Sequence, residues 1–192
     1  CELTFFSVPK RVIAINQDSV ETLLALGAGD SILAAVGVER ERLLPQLQAA
    51  YDQIPFYSRH SLDLETALVL EPDFLLGWYS SFSHRGNWTM GTTEFWRQRQ
   101  VNCYMEPASF SNSYQFQTLE HEYDYIRDMG RIFAKQEPAE RIVCRMQEKV
   151  QAVEKRAEED TIKPDSLILE FEGKELRAYG HDTLGGNIIE HL

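Results

Sequence analysis

The chain has 192 residues, 43% of them hydrophobic and 26% charged, with a formal net charge of −11. That is ordinary globular composition, long enough for one domain or two small ones. The acidic balance repels phosphate backbones and speaks against nucleic acid as a partner. No apolar run approaches the roughly 18–20 residues that span a bilayer, and the first residues carry no signal peptide. Val12–Ile15 is an unalternated apolar run, the pattern of a strand buried on both faces. Asp18 or Ser19 would cap the helix that follows and ends at Gly27 or Gly29. Ile32–Val36 reads as the next strand, Leu43–Ala50 as a short helix and Ile54–Tyr57 as a short strand. Leu64–Leu70 reads as a helix opened by Asp63 and stopped before Pro72. Phe74–Trp78 is a strand, Thr92–Gln100 a helix capped by Thr92 or Thr93, and Val101–Met105 a strand. This alternation predicts an α/β domain with a largely parallel sheet.

The rhythm changes at Thr118. Leu119, Tyr123, Ile126, Ile132 and Phe133 form one helical stripe, with Gly130 inside it. Pro138 starts a second helix, whose stripe is Ala139, Ile142, Val143, Met146, Val150 and Val153. Such a length carries the chain across the molecule rather than back into one sheet. Strand signals return at Ser166–Phe171 and Glu175–Tyr179, which flank the tight turn Glu172-Gly173-Lys174, and a helix begins at Thr183.

The three cysteines, Cys1, Cys103 and Cys144, show no C-x-x-C and no His/Cys cluster, so a structural zinc site is not expected. Cys144 sits in a helical pattern and reads as a small buried apolar residue. Cys1 and Cys103 are a disulfide candidate only in an oxidising compartment. His60, His84, His121, His181 and His191 are scattered, without H-E-x-x-H and without an i,i+4 pair. Direct binding of a bare metal, which needs several convergent ligands, is not expected.

Three segments carry a resemblance to a known family. They are "PKRVIAINQDSVETLLALGAGDSILAAVG" (9–37), "SRHSLDLETALVLEPDFLLGW" (58–78) and "LEHEYDYIRDMGRIFAKQEPAERIV" (119–143). "LRAYGHDTLGGNIIEHL" fits more loosely. The chain resembles the periplasmic substrate-binding proteins of ABC importers, in the class that takes iron-siderophores, haem and cobalamin. The resemblance implies a first Rossmann-like ligand-binding lobe over 1–116, connecting helices with a rigid inter-lobe helix over 117–162, and the start of an incomplete second α/β lobe over 163–192. It implies no catalysis and no resident cofactor. The cargo would be an iron-siderophore, haem or cobalamin, and the partner an ABC permease. The setting would be extracytoplasmic, with membrane association only through the permease or a lipid anchor. Bacterial lipoproteins begin with a lipidated cysteine, but Thr4-Phe5-Phe6 follows Cys1 too closely for a flexible tether, and a simple chain end is the preferred reading.

The family's cleft directs attention to particular residues. Asn16 and Gln17 follow the first strand and offer neutral donors and acceptors. Arg59 lies six residues before Glu65, where the family's hydroxamate binders have a ligand-facing arginine. A guanidinium fork suits anionic oxygens around chelated iron, whereas the plain alternative is a solvated surface charge. His60 lies beside it. Trp78, Tyr79, Ser80, Ser81 and Phe82 follow the fourth strand, and Tyr79 is the preferred candidate for stacking on a flat ligand, with Trp78 read as core. Glu106 to Ser109 would complete the first-lobe rim, and Tyr179, His181 and Asp182 would face the cleft from the second. Glu65 is read as the permease-docking acid, against the plainer role of offsetting its helix dipole. Two alternatives stay open: a chelatase-like or metallocluster enzyme on the same fold, and an interaction module without a small ligand.

Overall fold

The computed structural model describes residues 3–82, 90–109, 117–159 and 165–191. Cys1, His84 and the junction at 160–164 lie outside the described residues. The strands β1 (Val12–Ile15), β2 (Ile32–Val36), β3 (Phe56–Ser58), β4 (Phe74–Gly77) and β5 (Asn102–Met105) form one sheet in the order β3-β2-β1-β4-β5. Every pairing in it is parallel. They are joined by the helices α1 (Gln17–Ala25), α2 (Pro45–Tyr51), α3 (Leu64–Val69) and α4 (Thr93–Arg97).

The unbroken apolar strands are explained by helices on both faces. Val12, Ala14, Phe74 and Leu76 point into one core layer, with Leu23, Leu47, Tyr123, Met129 and Phe133. Ile13, Ile15, Ala34 and Leu75 point into the other, with Leu62, Ala67 and Trp96. All of these strand residues but Ile15 are fully buried, Val12, Ile13, Phe74, Leu75 and Leu76 being the large ones. Burying such side chains stabilises by about 1.5–3 kcal/mol each. Asp73 ties the start of β1 to that of β4: its carboxylate accepts the backbone N–H groups of Lys10 at 2.8 Å and Arg11 at 2.9 Å.

Local signals behave as their chemistry requires. Asp63 caps α3, accepting from the Thr66 backbone at 2.7 Å, and Thr92 caps α4, accepting from the Phe95 backbone at 3.1 Å. Gly27, past the end of α1, has φ +72°. One cap differs. The helix α1 begins at Gln17 with Asn16 at its N-cap, so Asp18 and Ser19 lie in its first turn. Asp18 and Ser19 are therefore free to make long-range contacts.

The chain then leaves the sheet through α5 (Leu119–Ile132) and α6 (Gln136–Glu159). Ala134, at φ +53°, separates them. Ala139 and Val143 are buried, and Ile142, Met146 and Val150 pack partly against the same layer. The apolar stripe thus holds, but Cys144 is exposed rather than buried. Only a narrow face of α6 meets its neighbours, and Cys144 is one step of 100° away from Val143. The strands β6 (Ile168–Glu172) and β7 (Glu175–Tyr179) pair antiparallel as a separate two-stranded sheet. The helix α7 (Leu184–Glu190) follows, with Thr183 accepting from the Gly186 backbone at 3.1 Å. Among the described residues, polar contacts join this last unit to the rest, and Leu184 packs against the first core layer. Asn187 accepts from the Leu119 backbone at 2.9 Å, Asp182 accepts through its backbone from Gln117 at 3.0 Å, and His191 meets Glu154 at 2.5 Å. Among the described residues, no helix is long and apolar enough to cross a membrane.

Candidate functional site

The strand order reverses between β1 and β4, where the connection crosses from one side of β1 to the other. Open α/β sheets take ligands in the crevice at the carboxyl ends of the strands at such a point. Asn16, Gln17, Arg59, His60, Trp78, Tyr79, Ser80 and Glu106 all lie on this edge.

The edge is held rigidly. Backbone pairing continues past the strands: Asn16 N–H donates to Val36 O at 2.8 Å, Gly37 N–H to Ser58 O at 2.8 Å, and Glu106 N–H to Gly77 O at 3.0 Å. The Ser109 hydroxyl accepts from the Tyr79 backbone at 2.8 Å and donates to Glu106 O at 2.6 Å. Asn16 itself has φ 73° and ψ 160°. That region is essentially reserved for glycine and costs on the order of 1–3 kcal/mol for other residues.

The predicted site residues meet different fates. Gln17 turns to the loop before α2, where its amide donates to Arg42 O at 2.9 Å and to Glu21 at 3.3 Å. Arg59 is exposed and paired with Glu41. His60 is exposed beside it, its backbone N–H donating to the Ser58 hydroxyl at 3.2 Å. Tyr79 and Ser80 are exposed in a short turn over Tyr79–Phe82. Trp78, read from sequence as core, is 44% exposed, and Tyr79 is 45% exposed. The Tyr179 hydroxyl donates to Glu170 across the hairpin. Glu65 is exposed in the first turn of α3.

Glu106 does not stand on the rim. It is buried beneath it, accepting from the hydroxyls of Ser19 and Tyr125. Burial first, then the hydrogen bond and charge of Asp18, push its carboxyl up to about 9. Asp18, Ser19 and Tyr125 are the members of this group that sequence reading did not assign to it. Asp18 and Ser19 read as helix caps, and Tyr125 lies off the stripe picked out on α5. Asp18 in the first turn after β1 and Glu106 directly after β5, two acids at the strand ends where ligands bind, are the signal available for them. Among the described residues, no group of three or more His, Cys, Asp or Glu side chains is disposed to hold a metal ion. A cavity of about 590 Å³ lies elsewhere, between the N-terminal segment (Leu3, Phe5, Phe6) and the later part of α5.

The class is thus an open, doubly wound α/β protein with a rigid edge at its switch point. The family model for periplasmic binding proteins matches residues 12–192, and the chain belongs to that family. This bears out the resemblance read in the three quoted segments. A periplasmic binding protein from Veillonella parvula is 39% identical, with TM-score 0.84, over 96% of this chain and 57% of that one. An ABC-type Fe3+-hydroxamate transport protein from Saccharomonospora viridis is 24% identical, with TM-score 0.64, over 80% of this chain and 53% of that one. IsdE from S. aureus, solved in complex with haem, is 16% identical, with TM-score 0.68, over 94% of this chain and 62% of that one. The chain therefore spans a little more than half the length of these proteins. No curated protein matches it.

Proposed function

We propose that the protein is an extracytoplasmic solute-binding protein that captures an iron chelate, a siderophore or haem, or a related metallo-cofactor, and hands it to an ABC permease. The observation that carries this reading is the edge at the β1/β4 switch point. Strained Asn16, half-exposed Trp78 and Tyr79, and Arg59 stand there on a backbone held by extra hydrogen bonds. Flat aromatic faces and a guanidinium suit a metal chelate. The Saccharomonospora protein, of a ferric hydroxamate transport system, and S. aureus IsdE, solved with haem, favour the same chemistry. Residues 163–192 are the beginning of the second lobe in this reading, and Tyr179 its contribution to the cleft. Glu65 is the acid offered to a permease arginine. Its exposure in the first turn of α3 leaves the carboxylate accessible to such a partner.

The test uses the full-length protein. Ferric desferrioxamine, haem and cyanocobalamin are titrated in turn, followed by tryptophan quenching and visible difference spectra. Saturable binding of one of them at one per chain is expected. Failure of all three to bind rejects the reading.

A further inference from the structure

Polar side chains from distant parts of the sequence, Asp18 and Ser19, Glu106, and Tyr125, meet under the carboxyl ends of β1, β4 and β5. Glu106 is 4% exposed. Its Oε1 accepts the hydroxyl protons of Ser19 and of Tyr125, the latter at 3.2 Å. Asp18 Oδ2 accepts the indole N–H of Trp78 at 2.6 Å. Asp18 Oδ1 is buried and has no donor among the described residues. An orphaned buried oxygen is expensive to keep. Two carboxylates in contact do not both stay charged, and the buried one holds the proton. Neutral Glu106 has one O–H to give, and Asp18 Oδ1 is the acceptor that lacks one.

We propose that the protonated carboxyl of Glu106 donates to Asp18 Oδ1 and thereby fixes the Trp78 indole, held on Asp18 Oδ2, as a wall of the ligand cleft. The chain of contacts runs from Ser19 and Tyr125 to Glu106, from Glu106 to Asp18, and from Asp18 to the ring. Asp18 and Glu106 are positioning residues, and Trp78 is the group that meets the ligand, which rests on the binding function proposed above. Among the described residues, the ionisable groups facing the pair are Tyr125 and Glu122 from α5 and Tyr104 from β5. Burial holds all three toward their neutral forms, and the Tyr104 hydroxyl is engaged with Asp128 at 2.9 Å. No cation is among them, so alkaline ionisation of Glu106 would leave two negative charges in contact and release the indole.

The indole N–H reports on this without any ligand. Full-length protein with isotope-labelled tryptophan is followed by NMR from neutral to alkaline pH, with Trp78 assigned by loss of its signal in Trp78→Phe. The wild-type signal should shift in one step near pH 9. Glu106→Gln keeps a neutral donor, so the neutral-pH position should stay and the step should vanish. Asp18→Asn supplies an amide donor to Glu106, so the step should move to lower pH. A pH-independent Trp78 signal in the wild type overturns the proposal, as does an unchanged step in either variant. If Glu106→Gln does not fold, the wild-type and Asp18→Asn profiles still decide. Ferric desferrioxamine, haem and cyanocobalamin are then offered at alkaline pH. The wild type should lose about tenfold in affinity for whichever it binds, and Glu106→Gln should not. If none binds, the indole profile still stands or falls alone.

Discussion

Arg59 grips Glu41 through one guanidinium nitrogen, which lies 2.8 and 3.0 Å from the two carboxylate oxygens. Both side chains are largely exposed, so the pair is held only weakly, in the range of about 0–1 kcal/mol. An anionic chelate can therefore displace Glu41. Arg59→Ala should weaken binding of an anionic chelate by roughly 1–3 kcal/mol, the value of a lost charged hydrogen bond. Glu41→Gln should tighten it by freeing the guanidinium. Calorimetric titration of both variants checks the pair; opposite signs are the expected result, and equal losses would assign Arg59 a purely structural place.

Asn16 occupies backbone space that favours glycine. Asn16→Gly should raise thermal stability, by about 1–3 kcal/mol if the strain is fully relieved. Ligand affinity should fall in the same variant, because the side chain at the switch point is gone. Calorimetric melting and ligand titration, run on the same preparation, read the two effects separately.

Glu106 links stability to pH with a definite sign. Its carboxyl is raised from 4.5 to about 9 in the fold. Below the lower value both folded and unfolded chains carry the proton. Between the two values only the folded chain holds it, so each rise in pH favours unfolding. The contribution of Glu106 is thus complete in acid and is lost as pH climbs toward 9. Melting temperatures of Glu106→Gln should gain on those of the wild type across that window. A constant difference between the two would remove Glu106 as the source.

Gly130 marks where α5 meets α6. A Cβ built there lies 2.5 Å from the Ala139 Cβ and 3.2 Å from Lys135 O. Ala139 is 1% exposed and cannot move aside. Gly130→Ala should therefore destabilise by about 1–3 kcal/mol, in spite of alanine's better helix propensity. Urea unfolding measures it, and the double change Gly130→Ala with Ala139→Gly should recover part of the loss.

Glu65 offers a test that leaves the cleft alone. Glu65→Lys should leave chelate affinity unchanged and lower uptake into vesicles that carry the cognate permease. The loss should be larger at low salt, where repulsion between like charges is less screened. Normal uptake by this variant would return Glu65 to the role of offsetting the dipole of α3.

The sheet was legible because its signals are local. Val12–Ile15 and Phe74–Gly77 are short apolar runs without alternation, and Asp63 and Thr92 announce the helices that follow them. Boundaries slipped by one to three residues, as at β3, which starts at Phe56 rather than Ile54, and at α4, which ends at Arg97 rather than Gln100. The break between α5 and α6 rests on the left-handed backbone of Ala134, a residue that carries no turn signal of its own. The buried group was harder to read. A lone glutamate after a strand is ordinarily solvated. What removes Glu106 from water is Ser19, 87 residues away, and Tyr125, on a helix of a different layer. Asp18 likewise reads as a cap until Asn16 takes the N-cap position and leaves the carboxylate for Trp78, 60 residues on.

The helix α6 runs without interruption for 24 residues, about 36 Å at the usual rise per residue. For a carrier acting as proposed, a stiff connection of that length leaves the empty and the loaded forms with nearly the same outer surface. A membrane partner that reads this surface meets empty protein as a competitor of loaded protein. Uptake then depends on the ratio of the two forms outside the membrane, and making more of the carrier while its cargo is scarce should slow delivery instead of speeding it.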